Sequence, residues 1–145
     1  MHLTRHTDYA LRLLMLLASE PGKLHTIEEA SRRYDVSRNH LMKVAQTLTQ
    51  AGFVKGIRGR TGGLKLAHPP EEINLGKVVR ATEENFNIVE CFDMNANTCL
   101  IARNCGLKAP LREATVAFMK VLDGYSLSDL AAKPGAAQTI RRLAI

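Results

Sequence analysis

The chain contains no Trp, and aromatic residues make up only 5% of its 145 positions. A platform for single-stranded nucleic acid stacks bases on exposed rings, so this scarcity argues against that class of binder. Cysteine is also scarce: there are three, all between positions 91 and 105. An odd, sparse and clustered set does not make an extracellular disulfide scaffold; it predicts a reducing compartment and one local site. No apolar run is long enough to cross a bilayer. The best candidate, Tyr9 to Ala18, is interrupted at Arg12 and is about half the length a spanning helix needs. Ser19-Glu20-Pro21-Gly22 follows it without a small-residue cleavage site, so the stretch reads as a buried helix of a cytoplasmic protein. Enzyme signatures are missing too. There is no Ser/His/Asp, paired-carboxylate or phosphate-loop motif, and the His residues are scattered at 2, 6, 25, 40 and 68. The chain is not expected to be an enzyme.

One further absence points toward a partner. From Val36 to Pro70 there is no Asp or Glu, while Arg38, Lys43, Lys55, Arg58, Arg60 and Lys65 all fall inside. At the chain's mean acid content, such a gap arises by chance about 3 times in 100. Overall, 20 Lys and Arg against 14 Asp and Glu leave +6, which favours DNA, RNA or an anionic membrane surface. Phosphates repel carboxylates and attract guanidinium and ammonium groups, so a DNA-facing segment is expected to have this composition.

What is present is a core-forming, mostly helical pattern with 46% hydrophobic residues, enough for one domain. A first helix is predicted from Thr4 to Ser19, stopping before Pro21-Gly22. Thr26-Ile27-Glu28-Glu29 has the form of a capping box and opens a short second helix. Ser37 is placed to cap a third helix with Leu41, Val44 and Leu48 inward, and Gly52 ends it. Phe53–Ile57 and Leu64–Ala67 read as strands around the loop Arg58-Gly59-Arg60-Thr61-Gly62-Gly63. Asn74 caps a fourth helix to about Thr82, and 85–108 is irregular. A long helix begins near Pro110 and ends near Gly124. Ser126-Leu127-Ser128-Asp129 caps a short final helix, and Pro134-Gly135 precedes a basic tail. Helix, helix, turn, helix and basic hairpin is the order of a winged helix-turn-helix.

That reading places Arg38, Asn39, His40, Met42, Lys43 and Gln46 on the outer side of the third helix. Arg matches guanine and Asn or Gln matches adenine through paired hydrogen bonds, whereas Lys suits phosphate. His40 is open between a phosphate donor, a base contact and a half-buried ring. In the wing, Gly62 and Gly63 allow close backbone approach, and Arg58 or Arg60 is placed to enter the minor groove. The bland alternative is a basic solvated face, or a winged helix used for protein contacts.

Cys91, Cys99 and Cys105 are spaced C-x7-C-x5-C. Three thiolates on one loop suit an iron–sulfur cluster, zinc or copper(I). A zinc signature is lacking, since neither a C-x-x-C pair nor a nearby His is present. Phe92, Met94, Leu100 and Ile101 are placed to shield a cluster from water. Leu111, Ala114, Phe118, Val121 and Tyr125 alternate at spacings of 3 and 4, a coiled-coil type stripe that Thr115 and Leu122 widen. It predicts either a dimer seam or packing on the helix's own domain.

Several of these motifs together resemble a known family. Met1-His2-Leu3-Thr4, Thr7-Asp8-Tyr9-Ala10-Leu11-Arg12, the wing over 53–66 and the three-Cys loop are similar to the NsrR-type nitric-oxide-sensing iron–sulfur repressors. These share a winged-helix family with IscR. The resemblance covers nearly the whole chain and implies a homodimer on a palindromic double-stranded DNA operator. It implies one iron–sulfur cluster per subunit, 4Fe–4S in preference to 2Fe–2S, held by Cys91, Cys99 and Cys105. In the IscR branch a His three residues after the last Cys completes the site; here that position is Lys108. In the nitric-oxide branch an N-terminal Asp of the other subunit serves, and Asp8 matches it. The plain alternative for Asp8 is a helix-start carboxylate facing the positive end of the helix dipole.

The expected fold is therefore mainly α. It comprises a winged helix-turn-helix region over 1–82, a cysteine cluster-binding loop over 83–108, and a dimerisation helix with C-terminal tail over 109–145. The expected function is a cytoplasmic repressor that releases DNA when nitric oxide nitrosylates its cluster. The rivals are a thiol- or zinc-based redox-responsive DNA-binding regulator and a small iron–sulfur electron-transfer or scaffold protein, which leaves the acid-free segment unexplained.

Overall fold

A computed structural model describes residues 2–143; Met1, Ala144 and Ile145, which belong to the first and last expected regions, lie outside the described residues. Helix α1, Arg5–Ser19, forms the centre. Thr4 caps it by accepting a hydrogen bond from the Thr7 N–H. Leu13, Leu14, Leu16 and Leu17 are all buried, as expected of an apolar run that wraps most of the helix. Around α1 pack α3 (Arg38–Gln50), α4 (Leu75–Thr82), α6 (Leu127–Ala132), α7 (Ala136–Arg142) and the second wing strand. The core joins Ala10, Leu13 and Leu14 to Leu41, Val44, Leu48, Val78 and Leu127.

Helix α2, Ile27–Tyr34, turns into α3 through Asp35, whose left-handed φ of 50° makes a sharp corner without a glycine. Strands β1 (Val54–Ile57) and β2 (Gly63–Leu66) form an antiparallel pair in the register Val54↔Leu66 to Ile57↔Gly63. Gly63 thus belongs to the strand, and the wing loop is shorter than the sequence predicts. Asn74 caps α4 and also donates to the carbonyls of Asp123 and Tyr125. This ties α4 to the end of α5, Lys108–Asp123. Arg80 reinforces the joint by gripping both Asp123 oxygens at 2.5 and 2.8 Å. No helix among the described residues is long and apolar enough to cross a membrane.

Several local expectations need correction. Thr26 accepts from the Glu29 N–H as a cap should, but the Glu29 carboxylate is drawn to Lys23, His25 and Arg33 instead of closing a capping box. Ser37 makes no side-chain cap bond. Helix α5 starts at Lys108, so Pro110 stands third in a first turn whose N–H groups have no intrahelical partners to lose. The segment after Pro134-Gly135 is a helix rather than a tail. Its Ile140 is buried and the Arg141 guanidinium donates to the Ser19 carbonyl, capping the C-terminus of α1.

Candidate nucleic-acid interface and metal centre

Helix α3 is amphipathic in the way its sequence demands. Leu41, Val44, Ala45 and Leu48 are buried, while Arg38, Asn39, His40, Met42, Lys43 and Gln46 are exposed. Arg38 is only loosely restrained, with its Nε 3.9 Å from Glu28 Oε2 and both side chains open to solvent. The His40 ring lies 6.2 Å from the Tyr9 ring, tilted by 37°, so α1 supports it from behind while the residue stays exposed.

In the wing, Arg58, Gly59, Arg60 and Thr61 are exposed, and Gly62 and Gly63 are half-buried. The glycines are structural requirements here. Gly59 has φ 122°, open mainly to glycine. The Gly62 N–H donates to the Gly59 carbonyl at 3.0 Å, and a Cβ on Gly62 would collide with the Ile57 carbonyl oxygen. The result is a tight basic tip with two guanidinium groups and no carboxylate.

The cysteines are free and half-buried on the segment between α4 and α5, where the only regular element is a 3-10 turn, Glu90–Phe92. Local polar contacts shape this loop: Asp93 Oδ1 accepts from the N–H groups of Asn95 and Ala96, and Asn97 Oδ1 from that of Cys99. Asp93 is thereby occupied as a turn-former. Cys105 opens onto a recess lined by Lys108, Arg112 and Glu113, two cations to one carboxylate, a net positive charge suited to a thiolate-held group. The expected shield does not form within the chain: Met94, Leu100 and Ile101 are 95%, 100% and 66% exposed, and only Phe92 is partly covered. The loop has too little secondary structure to fold them inward. Asp8, at the start of α1, pairs with Arg12 at 2.8 Å, and both side chains are 45% exposed.

Helix α5 has a single buried residue, Met119. Of the stripe named from sequence, Ala114, Val121 and Tyr125 are exposed and Leu111 and Phe118 are half-buried.

One cluster escapes the sequence reading. Glu20, His25 and Glu29 are the one His/Cys/Asp/Glu group among the described residues whose ligand atoms lie within 4.8 Å of one another; the three thiols form no such group. It is better suited to ion pairing than to a cation, because Arg33 reaches Glu20 at 2.9 Å and Glu29 at 2.7 Å, and Lys23 reaches both. Two cations already balance two carboxylates. The spacing of Glu29 and Arg33 was the available signal, since residues four apart share a helix face.

Burial holds the His25 imidazole below its ordinary 6.5, against the pull of Glu29 and Glu20. Burial alone would raise the carboxyls of Glu20 and Glu29. The Lys23 hydrogen bond and the charges of Arg33, Lys23 and His25 outweigh it and hold both below 4.5. All three groups bind protons less tightly folded than unfolded, so their contribution is complete at neutral pH and is lost as pH falls. Thermal melts followed by circular dichroism should show the midpoint declining below pH 6.5, through His25, and further below 4.5. In His25→Gln the upper part of the decline should vanish; a wild-type midpoint that rose between pH 7 and 5 would contradict the scheme.

A family model, Rrf2, described as an iron-dependent transcriptional regulator, matches residues 3–133. The chain is 55% identical over 131 residues to the HTH-type transcriptional regulator NsrR of Bacillus subtilis, covering 90% of each chain. It is 44% identical over 144 residues to the protein of the same description from Halalkalibacterium halodurans, covering 99% of each. Among solved structures, CymR, the global cysteine regulator of B. subtilis, superposes with a TM-score of 0.71 at 26% identity, over 91% of this chain and 97% of that one. IscR of T. potens shares the fold with a TM-score of 0.75 at 24% identity, over 95% and 91%. These relatives are regulators, not enzymes.

Proposed function

The chain belongs to the Rrf2 family of transcriptional regulators, and from that premise we propose that it is a DNA-binding repressor that senses nitric oxide through an iron–sulfur cluster. One observation carries this reading: a single chain presents a basic α3 and wing, built from a segment without Asp or Glu, together with three free, half-buried thiols on one loop. The likeness to relatives described as NsrR supports the nitric-oxide part.

In this proposal Arg38, Asn39 and Gln46 read base edges in the major groove, Lys43 lies along the backbone, His40 contacts either phosphate or base, and Arg58 or Arg60 enters the minor groove. Gly62 and Gly63 let the wing backbone come close. Cys91, Cys99 and Cys105 hold the cluster, one 4Fe–4S group per subunit, and the partner subunit's Asp8 completes it. When bound, the group supplies iron that reacts with nitric oxide. The donor set fits it in chemistry, as three soft thiols without a disulfide on one loop, which has to draw them together around the cluster. To ligate, Asp8 must leave Arg12, and because α1 packs on α3, that exchange lies one helix away from the DNA face. The uncovered side of α5 suits a second copy of the chain, and a two-fold dimer sets two recognition helices on a palindromic operator. Residues 1–82 then read DNA, 83–108 sense, and within 109–145 helix α5 dimerises while α6 and α7 brace α1, in a cytoplasmic setting.

Anaerobic purification tests the proposal. The protein should be coloured, contain iron and sulfide, retard a duplex recovered by random-site selection, and release it when nitric oxide is added. A colourless, metal-free protein whose DNA binding responds to oxidants would replace this reading with a thiol-based regulator, which three free cysteines also permit.

A further inference from the structure

The wing is anchored at its base through the backbone of a residue whose side chain has no solvent exposure. His25 lies between α1 and α2 and is fully buried. Its backbone N–H donates to the Leu64 carbonyl at 3.1 Å, and its backbone carbonyl accepts from the Leu64 N–H at 2.8 Å. His25 therefore forms an antiparallel bridge to β2, making a third, one-residue strand of the wing. The contact is close: a Cβ on Gly63 would stand 3.0 Å from the His25 carbonyl oxygen.

The imidazole sits between two carboxylates and is hydrogen-bonded to one of them. Nδ1 lies 3.2 Å from Glu29 Oε2, while Nε2 faces Glu20 Oε2 at 3.7 Å and makes no hydrogen bond. The charged groups around it are Glu20 from the end of α1, Lys23 from the connecting loop, and Glu29 and Arg33 from α2. The wing meets this residue through Gly63 and Leu64, neither of them ionisable.

We propose that His25 is a wing-positioning residue: fixed between Glu20 and Glu29, it sets where β2 leaves the domain and hence where Arg58 and Arg60 meet DNA. The proposal rests on the DNA-binding reading above. An unanchored wing keeps both guanidinium groups but has to be ordered on binding, and that cost reduces the phosphate contacts it makes. His25 touches no DNA itself and acts through the wing.

The test compares full-length, cluster-loaded wild type with His25→Ala, His25→Gln, the Arg58→Ala/Arg60→Ala pair and the triple variant. Each is titrated against the selected duplex across a range of salt. His25→Ala should weaken binding about tenfold and flatten the dependence of log affinity on log salt by about one to two, as the wing pair does. The triple variant should bind no more weakly than the wing pair alone. His25→Gln, which keeps a donor toward Glu29, should recover most of the affinity and slope. If His25→Ala does not fold, His25→Leu replaces it, keeping volume while removing the polar atoms. A general loss of stability would lower affinity without changing the salt slope, or would add to the arginine losses; either result overturns the proposal. If wild-type protein retards no duplex under any condition, the DNA-binding reading falls, and this proposal with it.

Discussion

Anaerobically purified Cys91→Ala, Cys99→Ala and Cys105→Ala proteins are each expected to be colourless and to contain no stoichiometric iron or sulfide, while remaining folded. The loss should be close to complete, because removing any one thiolate leaves only two soft donors on a loop without a rigid framework. Folding should survive, because none of the three belongs to the hydrophobic core around α1 and α3. Asp8→Ala should behave differently. Its pair with Arg12 is exposed and four residues apart on one helix, an arrangement that contributes about 0.3–0.5 kcal/mol. The protein should therefore stay folded and bind a cluster whose spectrum is altered and whose loss is faster, with DNA binding uncoupled from nitric oxide. Asp8→Cys should give a firmer, all-thiolate site that reacts more slowly, because a softer ligand then covers the open iron. Stopped-flow absorbance on mixing with nitric oxide, paired with gel shifts on the same samples, decides this. If Asp8→Ala matched wild type in spectrum, rate and DNA release, the fourth donor would have to be sought at Asp93, whose Oδ1 alone serves the loop backbone, or at Asn97, Asn104 or a bound water.

The second large effect is expected at the wing tip. Arg58→Ala/Arg60→Ala removes the only charged side chains between β1 and β2, both exposed and flanked by glycine. Each arginine that neutralises a phosphate contributes about one to the salt slope, so the pair should lower it by about two and weaken binding by about tenfold or more near physiological salt. Asn39→Ala or Gln46→Ala should instead change which bases are selected and leave the slope nearly intact. An unchanged slope in the arginine pair would remove the wing from the interface.

What was legible in the sequence was local. Thr26 and Asn74 announce α2 and α4 because a cap is settled by an oxygen and an N–H three residues away. The inward side of α3 followed from periodicity alone. What was hidden depends on partners far along the chain. Pro134, Gly135 and two arginines look like the start of a tail, yet α7 forms because Ile140 finds the core and Arg141 finds the Ser19 carbonyl. Glu29 was assigned to a cap, but the unforeseen burial of His25 and Arg33 beside it turned the carboxylate inward. The site follows the same division. The acid-free segment and the cysteine cluster are visible as letters, whereas the exposure of Met94, Leu100 and Ile101 depends on how the loop closes.

The bond from Arg141 to Ser19 joins residues 122 positions apart, which bears on the order of events during synthesis. Helix α1 leaves the ribosome long before α6 and α7, and until they arrive its Met15, Ala18 and Ser19 have no lasting cover on that side. Contacts so distant in sequence form late, because a long loop must close before they gain anything. A nascent chain of this protein therefore carries an apolar helix that is made first and finished last, the kind of segment that chaperones bind.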